Sequence, residues 1–282
     1  MSNERTLLTL ETAPTQYVDA GQHRFAYRSF GRLSGTPLVF LQHFTGNMDS
    51  WDPAVVNRLS DQRPVVVFDN VGVGQSSGLA PDNIEQMATD AALFMSAIGL
   101  SEVDLLGYSL GGMIAQKLAA KSPSLVRRAV LVATAPQGGE EHLMAVLADA
   151  TARKGAEDIR LPLFFTSSEA SQTAGRAFLK RATARVVDRD TESAQQVFEA
   201  QAKALISWCA TKDAANRILR GMKQPILIVG ASNDTMLPSD NAHASFKQLA
   251  NADLLLFRDS GHGVLFQYPE EFVAHTEVFL KS

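Results

Sequence analysis

The segment Gly107-Tyr108-Ser109-Leu110-Gly111 constrains this chain most. It sets one serine between two glycines where an apolar run gives way to a helical pattern. Residues 103–106 read as a short buried strand. Ile114 and Leu118 lie one helical turn apart beyond it, and Ser122-Pro123 closes the helix, because a residue before proline disfavours the helical region. A strand that reverses into a helix within one residue strains that residue and pushes its side chain out of the turn. Glycines on either side leave room for the close chain approach such a turn needs. The segment therefore predicts a hydroxyl held out at the edge of a sheet.

The rest of the chain repeats this alternation. Segments at 17–18 and 25–30 flank Ala20-Gly21 and read as a hairpin. Short apolar runs follow at 37–41, 64–68, 103–106, 129–133, 225–229 and 253–257. Runs without polar alternation suit strands buried on both faces. Helical patterns occur at 84–98, 110–121, 240–249 and 269–280. The spacing predicts an α/β fold, a mostly parallel sheet covered by helices on both faces and entered through an antiparallel hairpin. From 137 to 221 no strand pattern occurs. Leu143, Val146, Leu147, Phe178, Leu179, Phe198, Leu205 and Ile206 recur there at helical spacing. We read this stretch as a helical lid inserted between two core strands, over the carboxyl end of the sheet, where open α/β sheets bind ligands. Residues 1–136 and 222–282 then form the core.

Composition narrows the function classes. A chain of 282 residues can bury one large α/β core or two small ones. The formal net charge of −4, with no basic run longer than a pair, argues against nucleic acid or an anionic membrane surface as a partner. The pair Arg127-Arg128 reads as a solvated entry to the strand after it. Cys209 is the only cysteine, which excludes an intrachain disulfide and a cysteine-rich metal site, and its default place is a buried one. No stretch approaches the ~20 apolar residues that span a bilayer. Residues 1–10 carry no basic segment followed by an apolar one, so a cytoplasmic protein is expected. Gly72-Val73-Gly74 hints at a dinucleotide fingerprint, but its third glycine would fall at Ser77, with Gly78 one residue late. No Gly-Lys-Ser or Gly-Lys-Thr phosphate loop occurs either. Neither a cofactor nor a metal is expected, and nothing in the pattern specifies an oligomeric state.

A serine hydroxyl is a poor nucleophile at neutral pH and needs a base within hydrogen-bond reach. That base needs an acid to fix its tautomer and stabilise its charged form. His262 lies in Asp259-Ser260-Gly261-His262-Gly263, just past the last expected strand, where two glycines predict a flexible loop that lowers the imidazole onto Ser109. His23 and His142 fall in the hairpin and the lid, and His243 and His275 on helices. Asp234 follows an apolar run and the polar turn Ala231-Ser232-Asn233, with Pro238 placed to open the next helix. Asp259 competes by proximity, but three residues from His262 is an awkward distance for a directed carboxylate. Asp234 is therefore the expected partner. A histidine base predicts activity that rises with pH as the ring loses its proton. An oxyanion would need two preorganised N–H donors. Leu110 supplies one, and the loop Gln42-His43-Phe44-Thr45-Gly46 the other, expected at Phe44. Trp208, Phe164, Phe165 and Phe198 in the lid, with Trp51 and Phe44 beneath, predict a pocket for a small molecule with an apolar acyl or alcohol part.

Taken together, these residues give the chain a pattern that resembles the serine α/β-hydrolases, among them the lid-bearing esterases and cofactor-free haloperoxidases. In that resemblance the glycine-flanked serine is the nucleophile elbow, and the family's functional positions fall on Ser109, Asp234, His262, Phe44 and Leu110. Asp69-Asn70-Val71-Gly72-Val73-Gly74-Gln75-Ser76 resembles the family's Asp-x-x-Gly-x-Gly-x-Ser turn, which is structural. One departure stands out: Gln42-His43 occupies the place of the family's His-Gly. A side chain thus sits where the backbone normally bends closely, and His43 either brings a second imidazole to the site or fills space. The resemblance implies a cofactor-free, carboxylesterase-like hydrolase working through an acyl-enzyme. It leaves open peroxide as the acyl acceptor, a lactone or carbon–carbon bond as the target, and a ligand-binding module without turnover. A serine elbow disfavours the dehalogenase and epoxide hydrolase branches, whose elbows carry a carboxylate. The lack of Gly-Pro-Gly after His43 disfavours carbon–carbon bond hydrolysis. A complete set of three argues against a pure binder.

Overall fold

The chain enters its sheet through β1 (Gln16–Ala20) and β2 (His23–Gly31), an antiparallel hairpin that turns at Gly21 with a φ of 60°. The computed structural model describes residues 8–139, 143, 158–213 and 215–282. The parallel strands are β3 (Leu38–Leu41), β4 (Pro64–Phe68), β5 (Val103–Tyr108), β6 (Val126–Val132), β7 (Ile226–Ala231) and β8 (Ala252–Phe257). Among the described residues they form one sheet in the order β1-β2-β4-β3-β5-β6-β7-β8, with β2 antiparallel to β4 and every later pairing parallel. All residues of β3, β5 and β7 are buried, as expected of apolar strands covered on both faces. The edge strand β8 is only partly covered instead, and Leu256 is half exposed.

Helices α1 (Pro53–Ser60), α2 (Ile84–Ala97) and α3 (Leu110–Lys121) follow β3, β4 and β5. The sequence pattern missed α1, although its start is written locally: Asp52 accepts the Ala54 N–H at 2.8 Å and Pro53 opens the first turn. Helices α2 and α3 pack together, α3 lying along β3, β5 and β6. Strand β6 starts three residues before the expected run and takes in Arg127-Arg128. That pair is not a solvated entry. Arg127 donates to both oxygens of the buried Asp104 carboxylate at 2.9 and 2.6 Å, so the strand can pass through it.

Between β6 and β7 the regular elements among the described residues are helices: α4 (Arg160–Phe164), α5 (Glu169–Ala182), α6 (Gln195–Ala210) and α7 (Arg217–Gly221). This is the inserted helical cap. His142, Val146 and Leu147, read as part of it, lie outside the described residues. After β7 come α8 (Ser239–Gln248), one residue past the expected Pro238 start, then β8, α9 (Val264–Gln267) and α10 (Pro269–Lys281), which pairs with α1. The cap is joined to the core by packing as well as by chain. Phe178 of α5 is fully buried and stacks on Phe266 of α9 at 4.3 Å, and Arg181 donates to both oxygens of Asp52 at 2.8 and 2.6 Å. Phe198 and Leu205 face inward, whereas Ile206 is half exposed. Cys209 is buried, as read from its type. No helix among the described residues is long and apolar enough to cross a membrane.

Candidate active site

Ser109 sits between β5 and α3 with φ 55° and ψ −116°, a conformation that costs a side-chain-bearing residue about 1–3 kcal/mol and persists only where its surroundings enforce it. Its N–H donates to Val132 O at 2.9 Å, and Thr134 Oγ1 donates to Ser109 O at 2.8 Å. The flanking glycines are obligatory on steric grounds. A Cβ on Gly111 would lie 1.9 Å from Leu41 O, and one on Gly107 would lie 2.5 Å from Gly111 O. The turn therefore fits only because no Cβ stands where the end of β3 and the first turn of α3 crowd it.

Three side chains expected to converge do so. Ser109 Oγ lies 2.9 Å from His262 Nε2, and His262 Nδ1 lies 2.7 Å from Asp234 Oδ2. A carboxylate only accepts, so Nδ1 carries a proton and Nε2 is free to accept from the hydroxyl. The second oxygen of Asp234 accepts the N–H groups of Met236 and Leu237, both at 2.9 Å, which fixes the carboxylate before α8 begins. All three residues are buried.

Asp259 is not the orienter. It accepts from Thr166 Oγ1 at 2.7 Å and from Ser168 Oγ at 2.6 Å, and these hydroxyls hold its carboxyl below the usual range. Its contacts tie the loop after β8 to the cap. The glycines around His262 serve the same junction, which corrects the expectation of a flexible loop. A Cβ on Gly261 would lie 2.7 Å from Phe164 O and one on Gly263 2.7 Å from Phe164 Cβ, while Gly263 N–H donates to Phe164 O at 2.8 Å. Close packing, not mobility, requires glycine at both positions.

The loop after β3 is also gripped by the cap. Thr45, with a φ of 58°, donates its N–H to Gln201 Oε1 at 2.6 Å and accepts from Ser193 Oγ at 2.7 Å. Asn47 Nδ2 donates to Thr191 O at 2.9 Å. From the core side, Met48 N–H and Gln75 N–H donate to the buried Asp69 carboxylate at 2.9 and 3.0 Å. Burial foremost, then the Asp190 charge, raise that carboxyl well above its ordinary range. Asp69 thus anchors the turn the sequence had marked as structural, where a Cβ on Gly74 would meet its Oδ2 at 2.2 Å. The N–H groups of Phe44 and Leu110 have no protein acceptor among the described residues.

Gln42 and His43 divide the work of the altered dipeptide. Gln42 closes the loop on itself, its Nε2 donating to Asn47 O at 2.9 Å and its Oε1 accepting His43 N–H at 2.8 Å. His43 Nδ1 lies 2.8 Å from Phe44 O. Burial pushes its imidazole down to about 3; the Phe44 carbonyl opposes this, while the positive fields of His262 and Arg160 add to it. Its ring meets Tyr108 at 5.3 Å and Phe164 at 5.6 Å, and both of those rings also meet His262.

The pocket aromatics separate. Phe44 touches Phe198 edge-on at 5.0 Å, and Phe164 stands against His262 at 5.8 Å. Trp51 lies in the core between Phe40 and Tyr108. Trp208 is buried with its Nε1 donating to Ala135 O at 3.2 Å. Tyr108 and Gln201 were not singled out from sequence. Tyr108 lay in view beside the serine, while Gln201 carries no local signal of its partner 156 positions away. A cleft of about 540 Å³ lined by Pro136, Gly138, Lys212, Asn216, Pro238 and Asn241 holds none of the three converging side chains. No group of three or more His, Cys, Asp or Glu among the described residues is placed to hold a metal.

Residues 36–269 match the family described as alpha/beta hydrolase fold. An alpha/beta hydrolase fold protein from Chitinophaga pinensis is 40% identical, covers 98% of this chain and 100% of its own, and superposes with a TM-score of 0.93. The pimeloyl-[acyl-carrier protein] methyl ester esterase of Nitrosomonas europaea is 28% identical over 252 residues, 86% of this chain and 94% of its own. The enol-lactonase from Burkholderia xenovorans LB400, 21% identical over 95% of this chain and 100% of its own, shares the fold with a TM-score of 0.75.

Proposed function

The chain belongs to the alpha/beta hydrolase fold family, and from that premise we propose that it is a serine hydrolase cleaving a small-molecule carboxylic ester through an acyl-enzyme. The observation that carries this reading is the hydrogen-bonded chain from Ser109 Oγ through His262 to Asp234, at 2.9 and 2.7 Å. Ser109 attacks the ester carbonyl while His262 Nε2 takes its proton, and Asp234 stabilises the imidazolium that results. The N–H groups of Phe44 and Leu110 hold the oxyanion; their lack of protein acceptors supports the assignment. His262 returns the proton to the departing alcohol. A water activated by the same ring then releases the acid and restores the serine. The likeness to a methyl ester esterase supports an ester as the target, and the aromatic surroundings formed by Phe44, Phe164 and Phe198 support an apolar acyl or alcohol part.

A fluorophosphonate probe tests the reading. It should label the protein at Ser109 and fail on Ser109→Ala, and a series of p-nitrophenyl esters of rising acyl length should show turnover that the same substitution removes. An unlabelled wild type without ester turnover overturns the proposal. Acetate with hydrogen peroxide and a halogenation dye, run beside it, should give no reaction; a positive result would make peroxide the acyl acceptor.

A further inference from the structure

His43 stands where the resemblance places a glycine, and filling space does not account for it. A phenylalanine would fill the same volume without a polar atom. Because Phe44 O only accepts, the bond to it at 2.8 Å puts the proton of the His43 ring on Nδ1 and leaves Nε2 a bare lone pair. Nε2 is sealed and without a partner among the described residues, and an interior acceptor left unpaired destabilises the fold. An imidazole differs from a plain ring here only by that penalty and by the Nδ1–H bond, so the bond is what the histidine supplies.

That bond closes on the turn carrying the expected oxyanion donor. Residues 43–46 form a four-residue turn in which Gly46 N–H donates to His43 O at 3.0 Å. The peptide after His43 is trans, so the Phe44 N–H points opposite to that carbonyl, out of the turn. Of the two central residues only Thr45 has a positive φ, at 58°, which is the type II form. That form suits glycine and not a β-branched side chain. The peptide between Phe44 and Thr45 is therefore held against the preference of Thr45 itself, and both its polar ends are bonded. His43 Nδ1–H donates to the Phe44 carbonyl from the core side, and Thr45 N–H donates to Gln201 Oε1 of the cap at 2.6 Å. The His43 ring is itself kept in place by Tyr108 at 5.3 Å and Phe164 at 5.6 Å.

We propose that His43 is a positioning residue for the oxyanion hole: its Nδ1–H locks the Phe44–Thr45 peptide and so keeps the turn that aims the Phe44 N–H at the substrate oxygen. The proposal rests on the serine hydrolase reading, which gives that N–H its role. A donor aimed before reaction needs no reorganisation as charge develops, so a loosened turn lowers kcat more than it alters KM.

Substitutions that separate the bond from the ring test it. His43→Phe keeps a ring against Tyr108 and Phe164 and removes the donor. His43→Asn removes the ring and keeps a donor, because a carboxamide nitrogen overlies the place of Nδ1. With p-nitrophenyl butyrate, His43→Phe should lose about tenfold or more in kcat with KM within about twofold, and His43→Asn should keep most of the rate. His43→Leu has the shape of asparagine without its donor, and should fall with His43→Phe; it carries the comparison if the phenylalanine variant does not fold, as judged by circular dichroism. A trifluoromethyl ketone, to which a serine adds to give an oxyanion, should bind the donorless variants more weakly by the factor they lose in kcat/KM. Wild-type kcat in the donorless variants, or an equal loss in His43→Asn, overturns the role of His43 and leaves the hydrolase standing. A wild type that neither turns over ester nor takes a fluorophosphonate overturns the hydrolase and this role together.

Discussion

At the residue scale, burial decides the protonation of His43, whereas Asp234 decides which way a neighbouring ring is held. Burial holds the His43 imidazole at about 3, while the unfolded chain titrates near the ordinary value of 6.5. Above that value neither state binds the proton and the residue contributes nothing to pH dependence. As pH falls below 6.5 the unfolded chain takes up a proton that the folded one refuses, so stability is lost down to about 3. Between pH 7 and pH 5 the loss is about 2 kcal/mol. Urea denaturation at the two pH values should show wild type losing that much more than His43→Phe. Asp234 works by orientation. Asp234→Asn can no longer hold Nδ1 as the protonated nitrogen, and kcat should fall by on the order of 10⁴ in the p-nitrophenyl ester assay, with circular dichroism unchanged.

At the scale of elements, the cap helices hold two loops of the core in conformations those loops would not keep alone. Gln201 of α6 takes the N–H of Thr45, a β-branched residue at φ 58°, one position from Phe44. Gln201→Ala should release that turn and lower kcat about tenfold with less change in KM, as expected when transition-state stabilisation is lost. Gln201→Glu keeps an acceptor and should keep most of the rate. A merely structural glutamine would give no such rescue. The second loop carries His262, and there Asp259 receives two cap hydroxyls while Phe164 leans on Gly261 and Gly263. Gly261→Ala should displace Phe164 and cost about 1–3 kcal/mol in urea denaturation.

Across the whole molecule, a buried charge network locks the cap segment before α6 to the hairpin and the N-terminal residues. Arg28 on β2 donates to Asp49 at 2.6 Å, Asp190 N–H donates to the same carboxylate at 2.7 Å, and Arg185 donates to the carbonyls of Leu10, Glu11 and Ala13. Burial raises the carboxyls of Asp190 and Asp69 above their usual range. Arg28→Ala leaves these carboxylates without their guanidinium and should cost about 3–5 kcal/mol at pH 7, measured by urea denaturation. The cost should shrink as pH is lowered, because the raised carboxyls take up protons before ordinary ones do and the uncompensated charge then disappears.

Much of this design could be read from the linear chain, for stated reasons. Ser109, Asp234 and His262 each follow an apolar run, and their chemistry allows few residue types at the ends of such runs. The glycines at 107 and 111 announced a sharp turn by composition alone, since no other residue tolerates so close an approach. Strand ends were less legible: β6 begins early because Arg127 finds Asp104, a partner 23 positions away. What folding alone decided are the contacts between distant segments. Gln201 on Thr45, Phe164 on the histidine loop and the leftover Nε2 of His43 each depend on where the cap sits, and no local periodicity encodes that placement. Residue type and pattern thus determined which groups could react. Only the packed interior, by excluding water and pressing separate loops together, decided which of them are held still, which are paired, and which are left without a partner.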